Sequence, residues 1–109
     1  MKLVIAIVNH DDANAVTQNL TRHGFSSTKL STTGGFLLSG NATLLVGVEE
    51  EKLEQVIDLI REYSHSRKHV VPSIDYDVTG MGYLPAMPVE VTVGGATVFV
   101  VDVERFERL

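Results

Sequence analysis

Leu3-Val4-Ile5-Ala6-Ile7-Val8, followed at once by Asn9-His10-Asp11-Asp12 and then Ala13-Asn14-Ala15-Val16, is the passage on which the fold turns. An unbroken apolar run of this length is what a strand buried on both faces requires. Asn9 to Asp12 then offers a helix cap and places acids where a helix N-terminus favours negative charge. Ala13, Val16, Leu20 and His23 continue at helical spacing, and Gly24 is a natural residue just past a helix end. Asn14, Thr17, Asn19 and Thr21 are poor helix formers and weaken that signal. A strand hands over directly to a helix.

Working outward, Phe25 to Thr33 is rich in Ser and Thr with Phe25, Lys29 and Leu30 interspersed, and reads as a strand. Gly34-Gly35 and Gly40-Asn41 bracket the short apolar link Phe36-Leu37-Leu38-Ser39. Thr43 to Val48 is a second buried-looking strand, and Gly47 within it suggests a bulge or a close approach by another group. Leu53, Val56, Ile57 and Ile60 fall at i, i+3, i+4 and i+7, the stripe of an amphipathic helix, with Glu50 and Glu51 in front and Arg61 behind. From His65 to Pro88 the periodicity breaks, and Pro72, Pro85, Pro88, Gly80 and Gly82 all fall there, which predicts a long functional loop. Val89, Val91 and Val93, then Gly94-Gly95, then Ala96 to Val103 predict a hairpin with a primed turn.

The order is βαββαβ with the last strand doubled, which is the α+β, ferredoxin-like sandwich with an extra C-terminal hairpin strand. Both helices cover one sheet face, so the Val- and Leu-rich strands imply that copies of the chain cover the other.

At 109 residues the chain is expected to form a single domain, residues 1–109, with 44% apolar and 21% charged side chains. No apolar run approaches the ~20 residues of a membrane span, and no secretory leader is legible, so a soluble, cytoplasmic protein is expected. The absence of cysteine removes disulfides, thiolate zinc sites and iron–sulfur clusters together. A net charge of −5 argues against general nucleic-acid binding. Yet no carboxylate stands between Asp12 and Glu49, so a small anion can approach that stretch without repulsion.

Catalytic constellations are thin. His65 and His69 have a metal-sharing i, i+4 spacing, but the helix is ending there and no third ligand is evident. Asp11 and Asp12 are adjacent and do not face each other on a helix, and Glu49-Glu50-Glu51 reads as the solvated start of the second helix. No Gly-x-Ser-x-Gly elbow and no phosphate loop of the Gly-x-x-x-x-Gly-Lys type occurs. Thr32-Thr33-Gly34-Gly35-Phe36-Leu37 with Gly40-Asn41 differs. Paired glycines let backbone N–H groups converge on an anion, Phe36 can stack, and Asn41 can both donate and accept at a purine edge. A tight turn whose Phe36 plugs an interface accounts for the same residues equally well.

The block Thr28-Lys29-Leu30-Ser31-Thr32-Thr33-Gly34-Gly35-Phe36-Leu37, then Gly40-Asn41-Ala42-Thr43, resembles the signature of the PII-like cyclic di-AMP receptors of Gram-positive bacteria. A second block, Pro88-Val89-Glu90-Val91 with Val93-Gly94-Gly95-Ala96-Thr97-Val98-Phe99-Val100, sits where that family has its closing hairpin. The resemblance spans essentially the whole chain. It implies a PII-like homotrimer with ligand sites in the clefts between subunits, and no cofactor besides the ligand cyclic di-AMP. It also implies a short T-loop after the second strand and a large B-loop at about His65 to Pro88. The implied ligand-binding residues are Thr28, Gly35, Phe36, Leu37, Asn41, Gly47 and Phe99, with Phe36 against an adenine.

Two departures stand out. Gly24 and Ser26 occupy positions where the family carries Asn and Arg, and Arg108 stands where Gln is common. Ser26 and Arg108 are therefore added to the candidate site. Loss of an arginine removes a charge-assisted contact worth about 1.5–3 kcal/mol, for which Lys29, Arg22 or Arg108 could substitute. The expected activity is a non-enzymatic signalling receptor whose T- and B-loops change conformation on binding and are read by a downstream protein partner, with neither nucleic acid nor membrane involved. The alternatives are a PII-type binder of ATP, ADP or another nucleotide, and a small trimeric ferredoxin-like enzyme.

Overall fold

The computed structural model describes residues 1–30, 40–73 and 87–109. Strand β1 (Lys2–Asn9) runs straight into helix α1 (His10–Arg22), as its sequence requires. Asn9 is the cap: its backbone is extended and its side chain accepts a hydrogen bond from the Asp11 N–H at 2.9 Å. Replacing Asn9 with alanine is expected to cost about 0.5–2 kcal/mol, readable as a lower midpoint in urea at unchanged slope.

Helix α1 ends in a Schellman motif. Gly24 adopts φ +88°, its N–H reaches the Thr21 carbonyl at 2.9 Å, and the Phe25 N–H reaches that of Leu20 at 2.8 Å. Phe25 is thereby turned back into the core. Gly24 thus has a structural duty in the helix cap.

Next come β2 (Thr28–Leu30), β3 (Asn41–Val48), a single 3-10 turn at Glu50–Lys52 and helix α2 (Leu53–Ser64). Then follow β4 (Arg67–Ser73), β5 (Met87–Val93) and β6 (Ala96–Asp102). The main sheet has the order β2-β3-β1-β6, with every neighbouring pair antiparallel. This is the ferredoxin-like arrangement expected from the element order.

Val4, Ala6 and Val8 alternate into the helix-covered face of β1, matched by Ala42, Leu44, Val46 and Val48 of β3. Against them pack Val16 and Leu20 of α1 and Val56 and Ile60 of α2, all essentially without solvent contact. Such burial, about 1.5–3 kcal/mol for each large side chain, overrides the weak helix propensity of α1. The polar groups drawn into this layer are paired locally: Asn19 Nδ2 donates to the Ala15 carbonyl at 2.7 Å, and Ser64 Oγ donates to that of Ile60. Among the described residues no helix is long and apolar enough to cross a membrane.

Three expectations need correction. Gly47 makes no bulge, since the β1–β3 register runs unbroken from Lys2↔Val48 to Asn9↔Asn41. The extra hairpin strand exists, but β5 pairs with β4 and β6 pairs with β1. The turn at Gly94-Gly95, with φ of +80° and +85°, is therefore a corner between two sheets. The third correction concerns His65 to Pro88, whose two ends are strands and not loop; residues 74–86, the middle of the expected B-loop, lie outside the described residues. Proline obscured those strands in the sequence. Pro72 and Pro88 face each other in register, which a two-stranded ribbon tolerates because each strand has a free edge where an N–H is not needed.

Candidate functional site

The alternation that buries Val4, Ala6 and Val8 turns Leu3, Ile5 and Ile7 to the opposite face, which neither helix covers. The strand registers place Thr28, Leu45, Ile5 and Phe99 in a single row across that face, one from each of β2, β3, β1 and β6. Gly47, Leu3 and Val101 form the next row. Phe99 is 53% exposed and Val101 44%, an unusual state for large apolar side chains in the middle of a strand.

At one end of this face lies a cleft of about 590 Å³. Four of the residues singled out in the sequence meet there: Ser26, Thr28, Gly47 and Arg108. The Schellman turn brings Ser26 to the cleft, β2 presents Thr28, and β3 forms part of the wall. The Val103 N–H, bonded to the Met1 carbonyl at 3.1 Å, extends the β1–β6 pairing by one residue, and the C-terminal segment beyond it delivers Phe106 and Arg108. Gly47 has ordinary strand geometry, and a Cβ there would meet no atom within 4 Å. Neither backbone nor packing demands glycine at this position. What its missing side chain leaves is room in the cleft.

The other candidates lie elsewhere. Phe99 is three strands from Thr28 along its row, roughly 14 Å at the usual strand spacing. Asn41 is at the far end of β3 from Gly47, roughly 20 Å along the strand, and lines a separate small pocket with Thr97 and the corner glycines. Gly35, Phe36 and Leu37, with the rest of the expected T-loop at 31–39, lie outside the described residues. A groove of about 540 Å³ between α2 and β6, lined by Ile57, Ile60, His65 and Val98, contains none of the candidates.

Two features escaped sequence reasoning. Phe106 enters the cleft from a tail with no periodicity, and only its aromatic character could have signalled it. Asp12 was legible as a helix N-terminal charge, yet it also pairs with Arg67, 55 residues away. Arg67 donates through Nη2 to Asp12 Oδ1 at 2.9 Å and through Nη1 to Oδ2 at 3.3 Å, and through Nη1 also to the His65 carbonyl at 3.3 Å. The hydrogen bond with Asp12, ahead of simple charge attraction, raises the guanidinium's hold on its proton. The pair fastens the base of the β4–β5 ribbon to α1. His65 and His69 do not share a helix, because α2 ends at Ser64 and His69 is on β4. Among the described residues no cluster suited to a metal ion occurs.

A four-stranded ferredoxin-like sheet, with two helices on one face, a cleft at the edge of the other and an appended two-stranded ribbon, places this chain among the small PII-like proteins. The model of the cyclic-di-AMP receptor family matches residues 1–109, and the chain belongs to that family. It is also similar to a crystal structure of a functionally unknown protein from Pediococcus pentosaceus ATCC 25745. The two are 42% identical with a TM-score of 0.75, over 99% of this chain and 96% of that one.

Proposed function

We propose that this chain is a non-enzymatic receptor that binds cyclic di-AMP in clefts between the subunits of a homotrimer. The observation that carries the reading is the convergence of Ser26, Thr28, Gly47 and Arg108 in one cleft beside an uncovered apolar sheet face. Hydroxyls and a guanidinium suit a dinucleotide's phosphates and base edges, and the cleft's size is that of a small-molecule site. Phe99 and Asn41 do not line this cleft within one chain. A neighbouring copy packed on the open face supplies them, and burying that face is what holds the copies together.

The ligand's adenine stacks on Phe36, with Gly35 and Leu37 beside it. Binding changes the conformation of the T-loop and of the B-loop borne by the β4–β5 ribbon, and a downstream protein reads the altered surface. Among the described residues no side chain lining the cleft is a ready general base, which favours binding over turnover.

Calorimetric titration with cyclic di-AMP is expected to show one site per chain. Light scattering at micromolar protein should return three times the 11.9 kDa chain mass. Hydrolysis products from labelled cyclic di-AMP would overturn the receptor reading, and a mass of one chain would overturn the inter-subunit site.

A further inference from the structure

We infer that Asp12 is a positioning residue for ligand binding: through Arg67 it latches the β4–β5 ribbon to the first turn of α1, and so sets the pocket wall beside Asn41. The effect on binding rests on the function proposed above, in which Asn41 contacts the ligand. Among the described residues the core takes no side chain from β4 or β5, so apolar packing does not hold the ribbon in place. The Lys68–Glu90 pair at 3.2 Å joins the two ribbon strands only to each other. Two polar ties join the base of the ribbon to the body. The Gly95 N–H donates to the Ser64 carbonyl where α2 ends. Arg67, the first residue of β4, forks onto the two carboxylate oxygens of Asp12 at 2.9 and 3.3 Å. Asp12 is almost buried, and a forked, charge-assisted pair there fixes direction as well as distance.

The corner between the two sheets stands directly on this pair. A Cβ at Gly94 would lie 2.5 Å from Arg67 Nη1 and 3.2 Å from Asp12 Oδ2, so no slack separates the turn from the latch. Gly94 and Gly95 in turn line the small pocket that Asn41 and Thr97 also line. Asn41 is held from its own side by the same helix end. It pairs in register with Asn9, the cap of α1, and the carbonyl of the preceding Gly40 accepts from the His10 N–H. The segment Asn9 to Asp12 thus anchors both sides of the pocket. Releasing Arg67 frees the glycine side and leaves Asn41 in place.

The test pairs calorimetry with cyclic di-AMP and amide hydrogen exchange of the ligand-free protein, on the full chain, Asp12→Ala, Arg67→Ala and the double variant. Each single variant should speed exchange at the Gly95 amide by about tenfold to a hundredfold relative to the amides of β1 and β3. Affinity should fall by about threefold to thirtyfold, because a released ribbon leaves only a fraction of the chains with the pocket wall in place. The double variant should lose no more than either single one, since all three break the same latch. Arg67→Lys keeps the charge and loses the fork, so it should show both effects in smaller measure, and it replaces any alanine variant that does not fold. Unchanged exchange at Gly95 would overturn the latch, and unchanged affinity would overturn the positioning role. Losses that add in the double variant would show that Asp12 and Arg67 act separately, and would overturn both. A parent chain that does not bind cyclic di-AMP would overturn the receptor reading and with it the effect on binding, while the exchange measurement still decides the latch.

Discussion

Phe36→Ala is expected to weaken cyclic di-AMP binding by about fivefold to 150-fold while the assembly keeps its mass. The range is what base–aromatic stacking contributes by alanine substitution, roughly 1–3 kcal/mol. Phe36 sits in a stretch with paired glycines and neighbouring hydroxyls, which also suits a turn whose ring seals a subunit interface. The two roles separate cleanly when affinity and assembly are measured on the same sample. A stacking ring leaves thermal stability and mass unchanged and lowers affinity. An interfacial ring lowers the melting temperature or dissociates the trimer, with affinity following. A variant that stays trimeric and binds as tightly as the parent would remove Phe36 from the site.

The largest expected loss of stability is at Gly94. Its φ of +80° costs any other residue about 1–2 kcal/mol. A Cβ there would also stand 2.5 Å from Arg67 Nη1 and 2.8 Å from the His65 carbonyl oxygen. Gly94→Ala therefore requires the His65 backbone and Arg67 Nη1 to shift, which loosens the hold on Asp12, a residue only 7% exposed, at about 1–3 kcal/mol. Together these correspond to a fall in melting temperature on the order of 10 °C for a domain of this size. Gly95→Ala is the internal control. Its φ is +85°, but its nearest obstacle is Ser66 Cβ at 3.5 Å, so only the backbone cost applies. Equal shifts for the two variants would show that the crowding around Gly94 is relieved without cost.

The same corner shows how far sequence reading reached. The glycine pair marked a reversal with two left-handed residues, and both residues adopt that conformation. The strands on either side alternate as strands should, and both are strands. Their pairing with each other does not follow, because β6 is captured by β1 along the whole edge of the main sheet and β5 by β4. An alternating pattern states that a residue run is extended and which side chains share a face. It carries no information about which neighbour supplies the hydrogen bonds. For the site, the family resemblance marked Ser26, Thr28, Gly47 and Arg108, and nothing local to any of them placed them side by side.

What the sequence by itself determined is therefore what depends on neighbours in the chain. The Asn9 cap, the Gly24 helix end, the stripe of α2 and the order of strands and helices all arise from hydrogen bonds and side-chain spacing within a few residues. Tertiary structure alone decided that β5 leaves the main sheet, and that Asp12 holds Arg67 across 55 residues. It alone carried the C-terminal Arg108 to the cleft that Ser26 and Thr28 line. Such contacts join segments far apart in the chain. They form because the helices must bury one face of the sheet, and that burial fixes where every strand end, corner and tail comes to lie.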